Sequence, residues 1–151
     1  MYSKQEAALL TQEFWTLFGR YIAPLPSADG EKINWVNYKT GLKDTRFVMV
    51  ADTGFAKVGI VLQQPGVAFQ QLYFEKFAAL KKQMHKTLGE AWQWQPGITN
   101  QHGKLTSEIF TTLENVNVLN RQDWPAIISF LKPRMIALDQ FWCEYKYAFE
   151  G

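Results

Sequence analysis

The sequence predicts an α+β fold in which a mainly antiparallel sheet of about five strands packs against three helices, in the order αβββαββα. Two observations predict this class. Apolar residues recur every three or four positions near both ends and in the middle of the chain, which is the spacing of one helix face. Between these stretches lie short aliphatic and aromatic runs separated by Gly, Asn or Asp, which are typical of strands and turns. The short connections favour antiparallel pairing, as a three-stranded meander followed by a hairpin.

Length and composition predict that residues 1–151 form a single domain. Hydrophobic residues make up 47% of the chain and charged residues 20%, so there is enough apolar surface to build one core. No stretch is long and apolar enough to predict a membrane span, and the first residues lack the layout of a signal peptide. Because Cys143 is the only cysteine, no internal disulfide can form, and we expect a cytoplasmic protein.

The first helix is predicted to begin after Ser3, which has Glu6 at the spacing of a capping box. Pro24 and Pro26 end it. Its apolar face contains Ala7, Leu10, Phe14, Leu17, Phe18 and Tyr21.

Three strands are predicted next, over Ile33–Tyr38, Thr45–Ala51 and Phe55–Gln63. Gly41 marks a turn after the first strand. The run Asp52-Thr53-Gly54 predicts a hairpin between the second and the third.

A second helix is predicted over Val67–Leu88, closed by Gly89. A second hairpin follows, with strands near Ala91–Gln95 and Leu105–Leu113. The last helix begins near Trp124, and Pro133 predicts a kink or a short break in it. In the second helix the predicted inward face contains Phe69, Tyr73, Phe77, Leu80, Met84 and Leu88, with Gln71, Glu75, Lys82 and Lys86 opposite.

The sequence contains no catalytic constellation, and we predict neither catalytic residues nor a cofactor. His85 and His102 are the only histidines and lie far from Cys143 in sequence, so no metal site is predicted. No nucleophile elbow and no phosphate-binding glycine loop occurs.

The predicted order of elements also resembles the core of restriction-endonuclease-like enzymes. Such enzymes hold a divalent metal with an Asp near the second strand and an acid-x-Lys on the third. Asp52 suits the first position, but no carboxylate occurs between Asp52 and Glu75. The residues therefore argue against an active nuclease of this class.

Side chains suited to binding are concentrated in a few places. Trp35, Tyr38 and Lys39, with Arg46 on the following strand, have the aromatic and basic character that contacts nucleic acid. The commoner interpretation of such aromatics is core packing. Further candidate binding residues are the basic side chains Lys82, Lys86 and Arg134. Arg134 lies on the apolar face of the last helix, where a structural ion pair or a snorkelling side chain at the Pro133 kink is the more usual role.

Four segments resemble a bacterial family of domains of unknown function: Tyr2–Ala8, Asn34–Gly41, Leu72–Glu75 and Asp123–Ala126. In that family the domain occurs alone and also at the C-terminus of proteins resembling restriction endonucleases. The resemblance implies a compact α+β fold and an association with DNA-processing or defence proteins. It supplies no catalytic residues.

The leading functional hypothesis is therefore a non-catalytic binding or accessory module for nucleic acid or a protein partner. One alternative is a diverged nuclease-like enzyme whose acids would be Asp52, Glu75 and Glu108. Another is a homodimeric scaffold that uses the aromatic last helix, where Tyr147 lies off the main apolar stripe.

Overall fold

The computed structural model describes residues 2–150, and within them the chain forms four α-helices and one four-stranded sheet. Two 3₁₀ turns, Arg121–Asp123 and Lys146–Phe149, flank the last helix. The elements in chain order are α1 (Lys4–Ile22), β1 (Thr45–Ala51), β2 (Thr53–Leu62), α2 (Val67–Ala79), α3 (Lys81–Leu88), β3 (Gln93–Thr99), β4 (Leu105–Asn117) and α4 (Trp124–Tyr145).

The prediction of three helices and about five strands is therefore wrong in both numbers, although the α+β class and the antiparallel pairing are confirmed. The predicted strand Ile33–Tyr38 is an irregular loop. The side chain of Asn34 accepts hydrogen bonds from the backbone N–H groups of Val36 and Asn37, both at 3.1 Å. These bonds turn the chain locally, so the segment cannot join the sheet.

The extra helix arises because the predicted helix Val67–Leu88 is broken at Leu80. Its dihedrals are φ −103° and ψ 12°, and its N–H donates to the carbonyl of Phe77, three residues back. Such a tight turn at a helix end stops the α-helical ladder, and α3 begins at Lys81 as a separate helix.

α1 begins with the predicted capping box. The Ser3 hydroxyl accepts from the Glu6 N–H at 3.1 Å, and the Glu6 carboxylate accepts from the Ser3 N–H at 3.4 Å. The buried residues of this helix, Phe14, Phe18 and Ile22, all lie in its second half.

The strands lie in the order β1-β2-β4-β3, with every neighbouring pair antiparallel. Phe47 of β1 and Ile109 of β4 are buried on the same face, which we call the inner face. Trp142 of α4 meets Phe47 there with ring centroids 5.6 Å apart. Trp94, the register partner of Ile109, meets Phe74 of α2 at 5.7 Å. α2 and α4 therefore cover one side of the sheet, and the core lies between them and the strands.

The opposite, outer face of the sheet is mixed in character. Lys57 pairs with Glu108 at its centre, and the Lys57 ammonium lies 4.5 Å from the centroid of the Phe110 ring. Other side chains of this face are Arg46, Val48, Val50 and Val61.

α4 continues without a break through Pro133. Leu131 and Met135, two positions before and after the proline, are both fully buried. Their packing holds the helix together although Pro133 cannot donate to the preceding turn.

Among residues 2–150, no helix combines the length and the apolar character that crossing a lipid bilayer requires.

Gly59 provides a test of the sheet packing. A Cβ at this position would lie 2.5 Å from the Ile109 carbonyl oxygen and 2.6 Å from the Phe110 Cβ, so Gly59→Ala must displace β4. We expect this substitution to lower the free energy of unfolding by about 2–3 kcal/mol. Gly19→Ala is the matched control, because its Cβ would meet nothing within 4 Å and alanine favours the helix. Urea denaturation of both variants measures the difference, and equal stability would contradict the packing described.

Candidate functional site

The most densely hydrogen-bonded side chain in the interior is the carboxylate of Asp139 on α4, which is 1% exposed. Oδ1 accepts from the Ser27 hydroxyl at 2.8 Å and from the Tyr38 hydroxyl at 2.6 Å. Oδ2 accepts from the backbone N–H of Ala28 at 2.7 Å. Among the described residues Asp139 forms no salt bridge, so neutral donors alone compensate for burying its charge.

Cys143 lies one helical turn beyond Asp139 and completes this cluster. Its Sγ is 3.2 Å from the Ser27 hydroxyl and 3.6 Å from Asp139 Oδ1. Burial raises the pKa of the Cys143 thiol above its ordinary value, and nearby carboxylates act in the same direction. The sulfur therefore stays protonated at neutral pH, which disfavours a thiolate nucleophile.

Tyr38 is held protonated by the same surroundings. Burial is the first cause that raises the pKa of its phenol, and the hydrogen bond to Asp139 is the second. The cluster is thus one carboxylate surrounded by protonated donors. Such an arrangement suits anchoring more than proton transfer at neutral pH.

A cleft of about 500 Å³ opens beside this cluster. Asp29 on its rim accepts from the Glu31 N–H at 3.1 Å, and that bond lowers the pKa of its carboxyl group. The Lys146 ammonium lies 3.9 Å from Asp29, so the rim carries both signs of charge. Other residues that line the cleft include Lys32, Asn37, Tyr38, Lys39 and Trp142.

The structure brings Tyr38 and Lys39 together in this cleft, with Trp35 behind them. Trp35 is 2% exposed, and its indole N–H donates to the Leu25 carbonyl at 2.8 Å. Trp35 therefore supports the loop from inside, while Tyr38 and Lys39 reach the cleft.

The other predicted binding residues lie elsewhere. Arg46 is exposed on the outer face of the sheet. Arg134 pairs with Glu90 through Nη2 at 2.9 Å and Nε at 3.3 Å, and its Nη1 donates to the Phe130 carbonyl at 3.0 Å. These contacts tie α4 to the segment before β3 through a partly exposed structural ion pair, which is one of the roles expected for Arg134.

Lys82 and Lys86 are exposed on α3, in a stretch that has no acid between Glu75 and Glu90. The neighbouring Lys81 lies 5.1 Å from the centroid of the Trp94 ring. This helix is therefore the most basic surface in the middle of the chain.

α2 exposes large apolar side chains next to this basic helix. The exposed fractions are 71% for Val67, 61% for Phe69 and 47% for Leu72. The Phe69 ring stacks on Tyr73 with centroids 6.5 Å apart, and Lys76 lies over the Tyr73 ring. We call Phe69, Leu72 and Tyr73, which lie within about 100° of one another around the helix axis, the α2 patch.

The three acids considered for a nuclease-like site do not meet. Asp52 lies in the β1–β2 turn beside Phe55, whereas Glu108 lies opposite Val61. Six residues of strand separate these points, which is about 20 Å. Glu75 is exposed on α2. Within residues 2–150 no three His, Cys, Asp or Glu side chains form a group that could hold a metal ion.

Sequence reasoning missed Asp139 and the inward position of Gln70. The sequence does contain a feature that indicates a buried carboxylate at Asp139. This acid directly follows Leu138 and lies one turn after Met135, both within an apolar stretch. Gln70 has the spacing i, i+4, i+7 with Phe74 and Phe77, which are the residues that α2 buries. The predicted inward face of that helix contained Phe69, whereas the residue that is buried is the next one, Gln70.

The fold and this cluster define a small α+β protein whose connecting loop is fastened to its last helix by a buried carboxylate. Residues 10–146 match the family described as Domain of unknown function (DUF4268), and the chain belongs to this family. No curated protein and no solved structure matches the chain. The match confirms the resemblance at the level of a domain of unknown function.

Replacing the buried carboxylate tests its anchoring role. In Asp139→Asn the amide N–H₂ faces hydroxyl and N–H donors, so we expect a loss of about 3 kcal/mol in the free energy of unfolding. Asp29→Asn makes the same change of charge at an exposed position and should alter stability by no more than about 0.5 kcal/mol. Thermal and urea denaturation check both values; equal effects would show that Asp139 is not the anchor.

The pKa of Tyr38 predicts a loss of stability at high pH. The unfolded chain releases this proton near the ordinary value of 10.0, while the folded chain retains it. The stabilisation is therefore complete below pH 10 and falls above it, by up to about 1.4 kcal/mol per pH unit. Tyr38→Phe should remove this component, so its unfolding free energy declines less steeply between pH 10 and 11. If the free energy of unfolding fell equally steeply with pH in the wild type and in Tyr38→Phe, the pH dependence could not be assigned to Tyr38.

Proposed function

We propose that the protein is a non-catalytic accessory module that binds a protein partner through the α2 patch. The observation that carries this proposal is the orientation of α2, which exposes Phe69 and Leu72 while it buries Gln70. Contiguous exposed apolar side chains on a soluble protein mark interaction surfaces.

Hydrogen bonds fix α2 in this orientation. The Gln70 amide donates to the Leu105 carbonyl at 3.0 Å and to the Gln64 carbonyl at 3.3 Å, and it accepts from the Ser107 hydroxyl at 2.6 Å. Rolling α2 to bury Phe69 would break all three bonds and leave buried polar groups unpaired. The helix therefore presents the α2 patch as a rigid surface.

Charge at the edge of the patch indicates the chemistry of the partner. Lys76 borders Tyr73, and Lys82 and Lys86 follow on α3. A partner segment with apolar side chains for the α2 patch and carboxylates for these lysines would complement both features.

The non-catalytic part of the proposal is supported by what the interior charges do. Asp139 anchors a loop, Glu108 pairs with Lys57, and Glu90 pairs with Arg134. Each of these acids holds elements of the fold together.

A nucleic acid is the second candidate ligand, favoured by the lysines of α3 beside stacked aromatic rings. Single-stranded nucleic acids bind surfaces that combine cations with aromatic platforms. Phe69 and Tyr73 offer the platform, and Lys76, Lys82 and Lys86 offer the cations. The cleft residues Tyr38 and Lys39 are a second basic and aromatic area in this interpretation, whereas Arg46 is exposed separately on the outer face of the sheet.

We further propose that the protein acts in the bacterial cytoplasm, in association with restriction-endonuclease-like proteins. This placement rests on the family resemblance of the segments quoted above and on the free thiol of Cys143.

The double variant Phe69→Asp/Leu72→Asp tests the α2 patch. Both side chains are exposed, so the free energy of unfolding should change by no more than about 0.5 kcal/mol, whereas Phe74→Ala on the buried face should cost about 3–5 kcal/mol. Partner proteins that the wild-type chain retains from a bacterial extract, identified by mass spectrometry, should be lost from the double variant.

Val36→Asp is the control, because Val36 is also exposed but belongs to the loop before β1 and not to α2. It should retain the same partners. Retention by the double variant would refute the docking role of the α2 patch. Fluorescence anisotropy with a single-stranded oligonucleotide tests the second candidate directly: the oligonucleotide should bind with an affinity that falls with salt and with Lys82→Glu/Lys86→Glu, and a complete lack of oligonucleotide binding at low salt would exclude it.

A further inference from the structure

The two edges of the sheet differ in how they are protected. β3, at one edge, contains Pro96 and has an irregular register between Gln95 and Ile98. Proline and bulges are the usual means by which an edge strand avoids pairing with another chain. β1, at the other edge, pairs with β2 in unbroken register over all seven residues. Between Phe47 and Ala51 it contains no charge, no proline and no bulge.

The hydrogen-bond pattern shows which groups of β1 point outward. Asp52 donates to the Phe55 carbonyl and Gln63 donates to the Asp44 carbonyl, so the even-numbered residues of β1 bond to β2. The outward groups belong to Thr45, Phe47, Met49 and Ala51. The Thr40 hydroxyl already donates to the Thr45 carbonyl at 2.9 Å. Among residues 2–150, nothing donates to or accepts from the backbone of Phe47, Met49 and Ala51 on this side.

We propose that a second copy of this chain pairs with β1 in antiparallel orientation, about a two-fold axis at Met49, and extends the sheet across both copies. In this register Phe47 faces Ala51 of the second copy, Met49 faces its own counterpart, and Ala51 faces Phe47 of the second copy. Each of these pairs exchanges two hydrogen bonds. The ladder uses only the three residues whose outward backbone groups form no hydrogen bond within residues 2–150. A single self-complementary patch of this kind is the requirement for a two-fold dimer.

Charge complementarity selects this register and this occupant. With Met49 on the axis, Arg46 faces Asp52 of the second copy, and Val48 faces Val50 of the second copy. Arg46 and Asp52 are both exposed, and within residues 2–150 neither forms a salt bridge. Opposite charges directly across a non-hydrogen-bonded pair stabilise an antiparallel ladder, and by symmetry the pair occurs twice.

The neighbouring register, with Val48 on the axis, is less suitable. It places Arg46 against Val50 of the second copy, so the charge has no partner. It also requires the Thr45 carbonyl, which Thr40 already occupies.

Charge exchange tests the pairing, with sedimentation equilibrium of the full chain as the readout. The wild-type chain should dimerise. Arg46→Asp and Asp52→Arg each place like charges opposite each other and should raise the dimer dissociation constant by about tenfold or more. The double variant Arg46→Asp/Asp52→Arg should restore dimerisation, which no loss of folding could mimic. Arg20→Asp, an equal change of charge at an exposed position on α1, should have no effect.

Two further variants separate this interface from other surfaces. Ala51→Pro removes an outward N–H without touching the β1–β2 ladder and should weaken the dimer, with circular dichroism confirming the fold. Phe69→Asp/Leu72→Asp should leave the dimer intact, so this inference and the proposed function fail separately. A monomeric wild-type chain, or a dimer indifferent to Arg46→Asp, would overturn the proposal.

Discussion

The fold depends on fastening the irregular segment 23–44 to α4 through the carboxylate of Asp139. A buried carboxylate without a cation is stable only if several donors reach it together. Ser27, Ala28 and Tyr38 do so, from positions spread over the loop. Tyr38 in turn stacks on Phe47 with ring centroids 4.9 Å apart, which connects the loop to the first strand. One acid therefore fixes both the course of the loop and the position at which the sheet begins.

Polar side chains perform a comparable task on the other side of the core. Gln70 fastens α2 to β4 through Ser107 and the Leu105 carbonyl, so hydrogen bonds, and not only apolar contacts, fix the rotation of the helix. The consequence is that Phe69 is left outside. A sequence that places an amide inside and a phenylalanine outside departs from simple burial of apolar surface, and such departures are expected where a surface has a binding role.

Local patterns predicted the elements whose structure is decided locally. The capping box of α1, the bounds of β1 and the β1–β2 hairpin follow from residues close in sequence. One error has a local cause that the strand-like pattern conceals, and others arise where contacts distant in sequence decide. The segment Ile33–Tyr38 has strand-forming side chains, but Asn34 and the indole of Trp35 bind the backbone of the loop instead. Of the predicted binding residues, only those adjacent in sequence, Tyr38 and Lys39, share a cleft, because sequence alone does not indicate how Arg46 and Arg134 are placed by the sheet and by α4.

The two surfaces proposed for binding lie at different parts of the sheet, which has a physical consequence. α2 packs near β3 and β4, as the contact of Phe74 with Trp94 shows, while the unprotected edge is β1. Strand pairing at β1 would leave the α2 patch open on both copies. A partner carrying two suitable segments could then bind both patches, and the second contact would form at a high effective concentration. Weak individual contacts at Phe69 and Leu72 would suffice under that arrangement, which is consistent with a patch formed by only a few side chains of one helix.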